Sequence, residues 1–475
     1  MRASTISVHK IRRSHARTTA HCVDSSAFAP VRGVRVKVAI VGAGISGIAA
    51  ADTLSSSANV TLFEADPRLG GHTDSHTVLL SDQVYSVDTG FVAFNEAQYP
   101  AFSSWLNALG VTSQPAHMSL SVSCPPQRFE YATSDLPSLF PSLSAVFSYP
   151  QYQLLADIRR FNRTINQAVA ANPNEALGAY LHRNGFSQRF INCHIAPLCM
   201  ALWSKAAFDV LQVPLGHVAT FIAQHGLLRL DEQPQWRVIR SGATQYLEAF
   251  ERQFKGTIKL QTPVRQIQRA DGFVRVITDD ADSAFDAVIV ACHSDQALAL
   301  LEQPSLLEQQ LLGAVRYKPS RVVLHSDLSF MPDRRSLWSS WNAQMQELDG
   351  PATLSFWMNR IQSIRGQDFF LTLNPRTSPQ QIWADRTYAH PIFDNAALQA
   401  QSRLKDLDGE GGVFFCGSYW GWGLHEDGFT SGVGAAQRVQ TALQGQTSRL
   451  SEQERGSDAM SEIDAIIAAA KNQTQ

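Results

Sequence analysis

The chain has no excess of charge of either sign. Against 42 aspartates and glutamates it sets 40 lysines and arginines, a net charge of -2 over 475 residues. That balance predicts neither nucleic-acid binding nor an acidic-substrate funnel, so partners must be read from sites. Cysteine is sparse: Cys22, Cys124, Cys193, Cys199, Cys292 and Cys416 are the six present. They form no CxxC pair and show no spacing of a zinc site or a disulfide framework, which points to a reducing, cytoplasmic compartment and to no bound metal. No apolar run approaches the roughly 18 residues of a spanning helix, so the chain is expected to be soluble or at most peripheral to a membrane. No internal repeat of roughly 20 to 50 residues is visible, which excludes solenoids and propellers.

What the sequence does contain is ample core material. Hydrophobic residues make up 44% and charged residues 17%, and the length suits two domains or one domain with a large insertion. Residues 1–34 are basic and rich in Ser and Thr, with Asp24 their only acid. Both a transit-type peptide and an unstructured leader have that composition, and no apolar core of a secretory signal is present. Residues 446–475 read as a polar tail ending in a short helix.

Val36 to Val41 reads as a buried parallel strand, Ile45 to Leu54 as an Ala-rich helix, and "NVTLFE" as the next strand, together a βαβ unit. A helix is expected around Phe102 to Leu109. From about Leu120 to Leu230 helical spacing dominates, with Leu154, Ile158, Phe161 and Ile165 recurring at threes and fours and little β alternation. Two strands around an Asp271-Gly272 turn and the buried strand of "FDAVIVACHSD" come next. "SRVVLHSD", "TLSFWMNRI" and "DFFLTLNP" read as further strands, and "GGVFFCGS" begins a strand, a Gly-rich loop and a small-residue helix. These segments predict an α/β chain whose dinucleotide-binding domain is discontinuous (35–115, 232–300 and 405–445). An inserted α+β substrate domain takes 116–231 and 301–404.

Gly42, Gly44 and Gly47 form GxGxxG between the first strand and helix. The first glycine permits a tight turn, the second lets backbone approach a pyrophosphate, and the third lets helix and strand pack closely. The N–H groups of Ile45 and Ser46 open the helix, where the dipole favours phosphate. Glu64 ends the second strand about 20 residues on, placed to accept from ribose hydroxyls and to repel the extra phosphate of NADP. Beyond it, "ADPRLGGH" carries Ala65, Arg68, Gly70, Gly71 and His72. There a guanidinium and another close backbone approach can meet the pyrophosphate, or form an ordinary glycine turn with a solvated arginine.

The run through Gly71 resembles the opening of the FAD-dependent amine oxidase superfamily, which also holds carotenoid desaturases and protoporphyrinogen oxidase. Within it, "VDTGFVAFNEAQYP", "APLCMALWSKAAFDVLQVPLGHVATFIAQHGLL", "QWRVIRSGATQYL", "HSDQALALL", "SLWSSWN" and "GLHEDGFTSG" resemble a subfamily of predicted NAD/FAD-binding proteins. Members of that subfamily occur beside, or fused to, cyclopropane-fatty-acid synthases. The resemblance covers about Val36 to Leu443 and implies a Rossmann-type, amine-oxidase-like fold. It also implies extended FAD, with adenine at the first βαβ unit and the isoalloxazine at the interface with the inserted domain. Val264 matches a position whose backbone meets adenine; as a residue it is equally an ordinary strand valine. A synthase-like partner is a further implication.

"CGSYWGWGLHEDGFTSGVGAAQRV" is expected to carry the flavin end. Gly428 to Gly434 leads into a helix whose N-terminal N–H groups would stabilise the anionic reduced flavin. Where the superfamily commonly has an acid after the glycine matching Gly417, this chain has Ser418, which implies weaker anchoring of the ribityl chain or pyrophosphate. His425 is a candidate general acid or base, or a structural member of the cofactor loop. Asp427 is a candidate cofactor contact or a helix cap. Trp420 and Trp422 stand where aromatic residues wall the flavin in the superfamily, and equally suit packing. Arg321 stands where many amine oxidases have a lysine reaching flavin N5 through water; a guanidinium is a poor proton acceptor, which counts against simple amine oxidation.

"SLFPSLSAVFSYPQY" contributes Leu139, Phe140, Leu143, Val146, Phe147, Tyr149 and Tyr152, expected to line an acyl tunnel, dip into a membrane surface or form a helical core. The leading expectation is an FAD-dependent oxidoreductase that takes hydride onto flavin N5 from an unsaturated, methylated or cyclopropane-bearing acyl chain or a similar apolar lipid. A peroxide-releasing amine oxidase and a non-redox flavin-binding accessory protein of a lipid-modifying enzyme are the alternatives. No second GxGxxG is present to hold NADPH, so oxygen or a quinone suits equally as electron acceptor.

Overall fold

The computed structural model describes residues 36–135, 137–203, 211–224, 234–347, 352–407 and 409–444. The basic leader, Cys22 and the polar tail lie outside the described residues. Stretches from the start, middle and end of the chain converge on one five-stranded sheet. In spatial order its strands are Thr257–Lys259, Asn59–Phe63, Lys37–Val41, Ala287–Val290 and Val413–Phe415, and every neighbouring pair runs parallel.

Apolar runs such as "VAIV" suit burial on both faces. Val38, Ile40 and Leu62 enter one core with the helix Ile45–Leu54, while Ala39, Val41 and Phe63 enter a second core on the other face. Gly47 lets that helix lie against the strand it follows, since a Cβ there would stand 1.9 Å from the Gly42 carbonyl oxygen. Val264–Ala270 and Phe273–Thr278 pair across the Asp271-Gly272 turn, as their sequence predicts, and Asp282–Phe285 adds a third strand.

A second, seven-stranded sheet has the order Ile382–Ile392, Arg316–His325, Phe370–Leu373, Thr353–Trp357, Trp341–Gln344, Leu120–Cys124 and Phe129–Ala132. Only Trp341–Gln344 and Leu120–Cys124 pair in parallel. The expectation of helix from Leu120 onward is corrected here, because two strands precede the helices. The stretch "LSVSC" does alternate, but its serines are as buried as Leu120, Val122 and Cys124, so polarity hid a two-sided strand. The helices that follow, led by Tyr149–Ala171 with Leu154, Phe161 and Ile165 buried, share one core with this sheet.

Candidate active site

The carboxyl ends of the parallel strands open into a cleft of about 1170 Å³, and Gly42, Glu64, Ala291 and Gly417, each just past a strand end, line it. Open α/β sheets bind ligands in that position. Gly42 has φ +104°, and a Cβ on it would stand 3.0 Å from the Ala291 carbonyl oxygen. Gly44 differs: nothing lies within 4 Å of where its Cβ would be. The space before the helix N-terminus is therefore open, bounded by Ile45 and Ser46.

Glu64 fixes this end. Its carboxylate accepts from the Ala43 N–H at 2.8 Å and from the Asp66 N–H at 2.9 Å, and a carboxylate retains lone pairs for further donors. Ala65 lines the cleft beside it, and Val264 closes the adjoining wall. The Gly70 N–H donates to the Ala43 carbonyl at 2.8 Å, which ties the second glycine turn to the first. Arg68 is half-buried and tied to the turn. Its guanidinium donates to the carbonyls of Thr73 at 2.8 Å and Gly71 at 2.9 Å, holding the shape of the Gly70-Gly71 turn at the cleft edge.

His72, expected at the cofactor end, stands in a group of rings from distant segments. Its ring lies 5.1 Å from those of His390 and Tyr388 and 5.8 Å from His293, and all four side chains line the cleft. Its Nε2 is buried without a hydrogen-bond partner. Burial, and after it the neighbouring histidines, hold His72 well below the ordinary histidine range, so it is neutral. Tyr388 and His390 escaped notice because they lie on Ile382–Ile392, whose polar-rich sequence "IWADRTYAHPI" does not read as a strand.

At the other terminus, the three ionisable residues of "HEDG" divide three tasks. His425 reaches the cleft, with Phe91 stacked at 3.8 Å and Nε2 paired with the Tyr246 hydroxyl at 3.0 Å. Burial pushes it down to about 3. Stacked on Phe91 and bonded to the Tyr246 hydroxyl, His425 sits as a neutral, buried member of the cleft wall, the structural alternative. Glu426 points elsewhere, accepting from the N–H groups of Ala101 and Phe102 at 2.9 Å each and so capping the helix Pro100–Ala108. Asp427 accepts from the N–H groups of Trp422 and Leu424, also at 2.9 Å each. It does not line the cleft, so its expected cofactor contact gives way to the capping alternative.

Gly428 is likewise corrected. It lies inside the helix 425–444, not before it, and a Cβ on it would come within 2.7 Å of Ile45 Cγ2. Its smallness packs two helices together. Gly417 and Ser418 line the cleft, as does Trp422, whose ring lies 4.2 Å from that of His217. Trp420 does not. Its ring carries the Arg438 guanidinium 4.9 Å from its centroid and packs at the edge of the second core.

Arg321, expected at the flavin, does not line the cleft. On Arg316–His325 the side chains alternate, and Val322 lines the cleft while Arg321 emerges on the opposite face. There it binds Asp385 with N–O distances of 2.6 to 3.1 Å. No lysine appears among the described residues lining the cleft. The seven-stranded sheet contributes an apolar patch, Val322, Trp341, Phe356, Leu371 and Leu373, with Met118 beside them, while its edge strand Ile382–Ile392 lines the cleft with Arg386, Thr387, Tyr388 and His390. Among the described residues the cleft's carboxylates are Glu64 and Asp66, both at the glycine-rich end.

An adenine dinucleotide fits the glycine-rich end. The open space at Gly44 would be filled by any side chain, the helix N-terminus faces it, and His72 offers an unpartnered nitrogen along the wall. The volume exceeds the roughly 300–1,000 Å³ of a single small-molecule site, leaving room for a second molecule.

Comparison with known proteins agrees with this geometry. Residues 45–334, more than half of the chain, match the model of the family described as flavin containing amine oxidoreductase. A stretch of 173 residues is 28% identical to protoporphyrinogen oxidase 2, chloroplastic/mitochondrial, of Arabidopsis thaliana, covering 34% of this chain and 31% of that protein. The chain thus spans about a third of the length of this curated relative. Among solved structures, cyclohexylamine oxidase from Brevibacterium oxydans IH-35A superposes with a TM-score of 0.64 at 16% identity, over 86% of this chain and all of that one. A CLA-producing fatty acid isomerase from P. acnes superposes at 0.57 with 14% identity, over 85% of this chain and 98% of that one. At such identities the likeness is one of fold. The chain belongs to the flavin containing amine oxidoreductase family, and its class is that of FAD-dependent oxidoreductases with an amine-oxidase-like fold.

Proposed function

We propose that this protein oxidises or reduces an apolar substrate of the fatty acyl kind, an unsaturated, methylated or cyclopropane-bearing chain, lying against the flavin in the apolar end of the cleft. The observation that carries the reading is the apolar patch in the cleft lining, Val322, Trp341, Phe356, Leu371 and Leu373; among the described residues the cleft's carboxylates are Glu64 and Asp66, both at the glycine-rich end. Burying a cationic ammonium at that patch without a partner is costly, whereas each buried methylene of an acyl chain contributes about 0.8 kcal/mol.

Two-electron exchange with the substrate is the chemistry a bound FAD would supply. Gly42, Gly44, Glu64, Gly70, Gly71 and His72 would hold its dinucleotide part, and Gly417 and Ser418 the part nearer the ring. The neutral imidazoles of His72 and His425 shield this region from water without adding charge, and the N-terminus of the helix 425–444 lends positive potential. The fatty acid isomerase with the same fold supports the reading, since that protein, by its name, works on a fatty acid. The amine alternative has the family name and the cyclohexylamine oxidase in its favour, but among the described residues no carboxylate stands at the apolar patch to meet the ammonium.

A peroxide assay with a panel of primary, secondary and cyclic amines tests the choice. The acyl reading expects no peroxide above the flavin's own background. Saturable turnover of any amine would replace it with the amine reading.

A further inference from the structure

We propose that the face formed by the turn before the helix Tyr149–Ala171 and the outer side of that helix docks on a membrane surface bearing anionic phospholipids. Leu143 is 81% exposed, Phe147 85% and Tyr149 75%, and Val146 and Tyr152 are exposed beside them. Such a run of large apolar side chains in the open is unlike the scattered exposed residues of an ordinary surface. None of them lines the cleft, which corrects the tunnel and core alternatives for these five residues.

The segment is held in place. The Ser142 hydroxyl accepts from the Ala145 N–H at 3.2 Å to cap the turn Leu143–Val146, Gln151 donates to the Leu139 carbonyl at 2.7 Å, and Arg334 donates to the Pro141 carbonyl at 2.7 Å. The apolar residues are thus presented by a fixed turn.

Charge selects the occupant. Tyr149, Tyr152, Ala156, Arg159 and Arg163 recur at helical spacing on one exposed side of Tyr149–Ala171. The only acid between residues 137 and 171 is Asp157, which is buried, bonded to Arg160 at 2.9 Å and accepting from the Ser187 N–H. Aromatic and aliphatic side chains at one end, with arginines on the same side and no exposed carboxylate on the segment itself, match the chemistry of an acyl–headgroup boundary. The inner side of the helix packs, through Leu154 and Phe161, into the same core as Val322, Phe356 and Leu371 of the cleft wall. The docking stands or falls independently of the substrate proposed above.

The test is co-sedimentation of the full-length, FAD-loaded protein with vesicles of phosphatidylcholine alone and of phosphatidylcholine mixed with phosphatidylglycerol, at low and at physiological salt. The protein is expected to pellet with the mixed vesicles, less so as salt screens the arginines. L143S/F147S should lower the partition coefficient on the order of tenfold per side chain removed. R159Q/R163Q should lose the salt-sensitive part alone. All four positions are exposed, so flavin content and melting temperature should match the parent. Failure of the parent to pellet with mixed vesicles at low salt, or unchanged binding by L143S/F147S, overturns the proposal. So does lipid-free dimerisation in light scattering that F147S abolishes, because the face would then belong to a second copy of the chain.

Discussion

Two glycines three positions apart should fail in opposite ways. Gly44 has φ -71° and ψ 179°, a conformation open to any residue, and nothing lies within 4 Å of its missing Cβ. Gly44→Ala should therefore leave the apoprotein intact, and even stabilise it by about 0.4–1 kcal/mol through the unfolded chain. The cost appears only when FAD brings its pyrophosphate to that surface. An added methyl in a tight contact costs about 1–3 kcal/mol, or roughly 5- to 150-fold in Kd. Gly47→Ala has no such freedom, because its Cβ would stand 1.9 Å from the Gly42 carbonyl oxygen and 3.0 Å from the carbonyl carbon, both backbone atoms. It should lose about 1–3 kcal/mol of apoprotein stability or more. Urea denaturation of the apoproteins, with flavin titration followed by fluorescence, separates the two effects. If Gly44→Ala binds FAD as the parent does, or unfolds well before it, the pyrophosphate does not pack where the open space suggests and the site must be redrawn.

Other consequences follow from the carboxyl-terminal loop and the histidines. Glu426→Ala removes two charge-assisted bonds from the start of the helix Pro100–Ala108, and a loss of about 1–3 kcal/mol in denaturant unfolding is expected, with Glu426→Gln recovering part. His425 is lowered to about 3 by burial, so the unfolded chain takes up its proton near the ordinary value of 6.5 while the folded chain does not. This term costs nothing above about pH 6.5 and destabilises the fold by about 1.4 kcal/mol per unit as pH falls from there towards 3. Asp427, raised to about 7 by burial, acts the other way, stabilising the fold as pH falls from 7 towards its ordinary value. Denaturation of parent and His425→Gln at pH 5 and 7 should therefore show a shallower acid loss in the variant. A kinetic pH profile should contain no ionisation that His425→Gln removes. Arg321→Ala, at an exposed pair with Asp385, should leave turnover and flavin content at the parent's level, and a large loss of turnover would restore Arg321 to the site.

The glycine-rich end was legible because its constraints are local. A strand, three glycines, a helix and a carboxylate about 20 residues on lie in one continuous stretch, and the structure assembles Gly42, Gly44 and Glu64 at one cleft edge. What escaped the sequence depends on pairing between distant segments. The side of Arg316–His325 on which Arg321 emerges is set by antiparallel register, with Arg321 opposite Thr387 and Val322 opposite Arg386. Nothing near Arg321 in the chain specifies that choice. The histidine group joins residues from three such segments, His72, His293 and His390, and no spacing in the chain links the three. The loop "HEDG" shows the same limit differently. Three ionisable side chains look catalytic in a row, but Glu426 serves a helix more than 300 residues earlier in the chain and Asp427 serves the loop itself.

The central claim is that FAD and an apolar acyl chain share one cleft. Its most direct test is anaerobic mixing of the FAD-loaded protein with phospholipids carrying unsaturated or cyclopropane acyl chains while the visible flavin band is recorded. The account predicts that at least one such lipid bleaches the oxidised band, or restores the band of the pre-reduced protein, and that amines do neither. A band that responds to an amine and to none of the acyl lipids would contradict it.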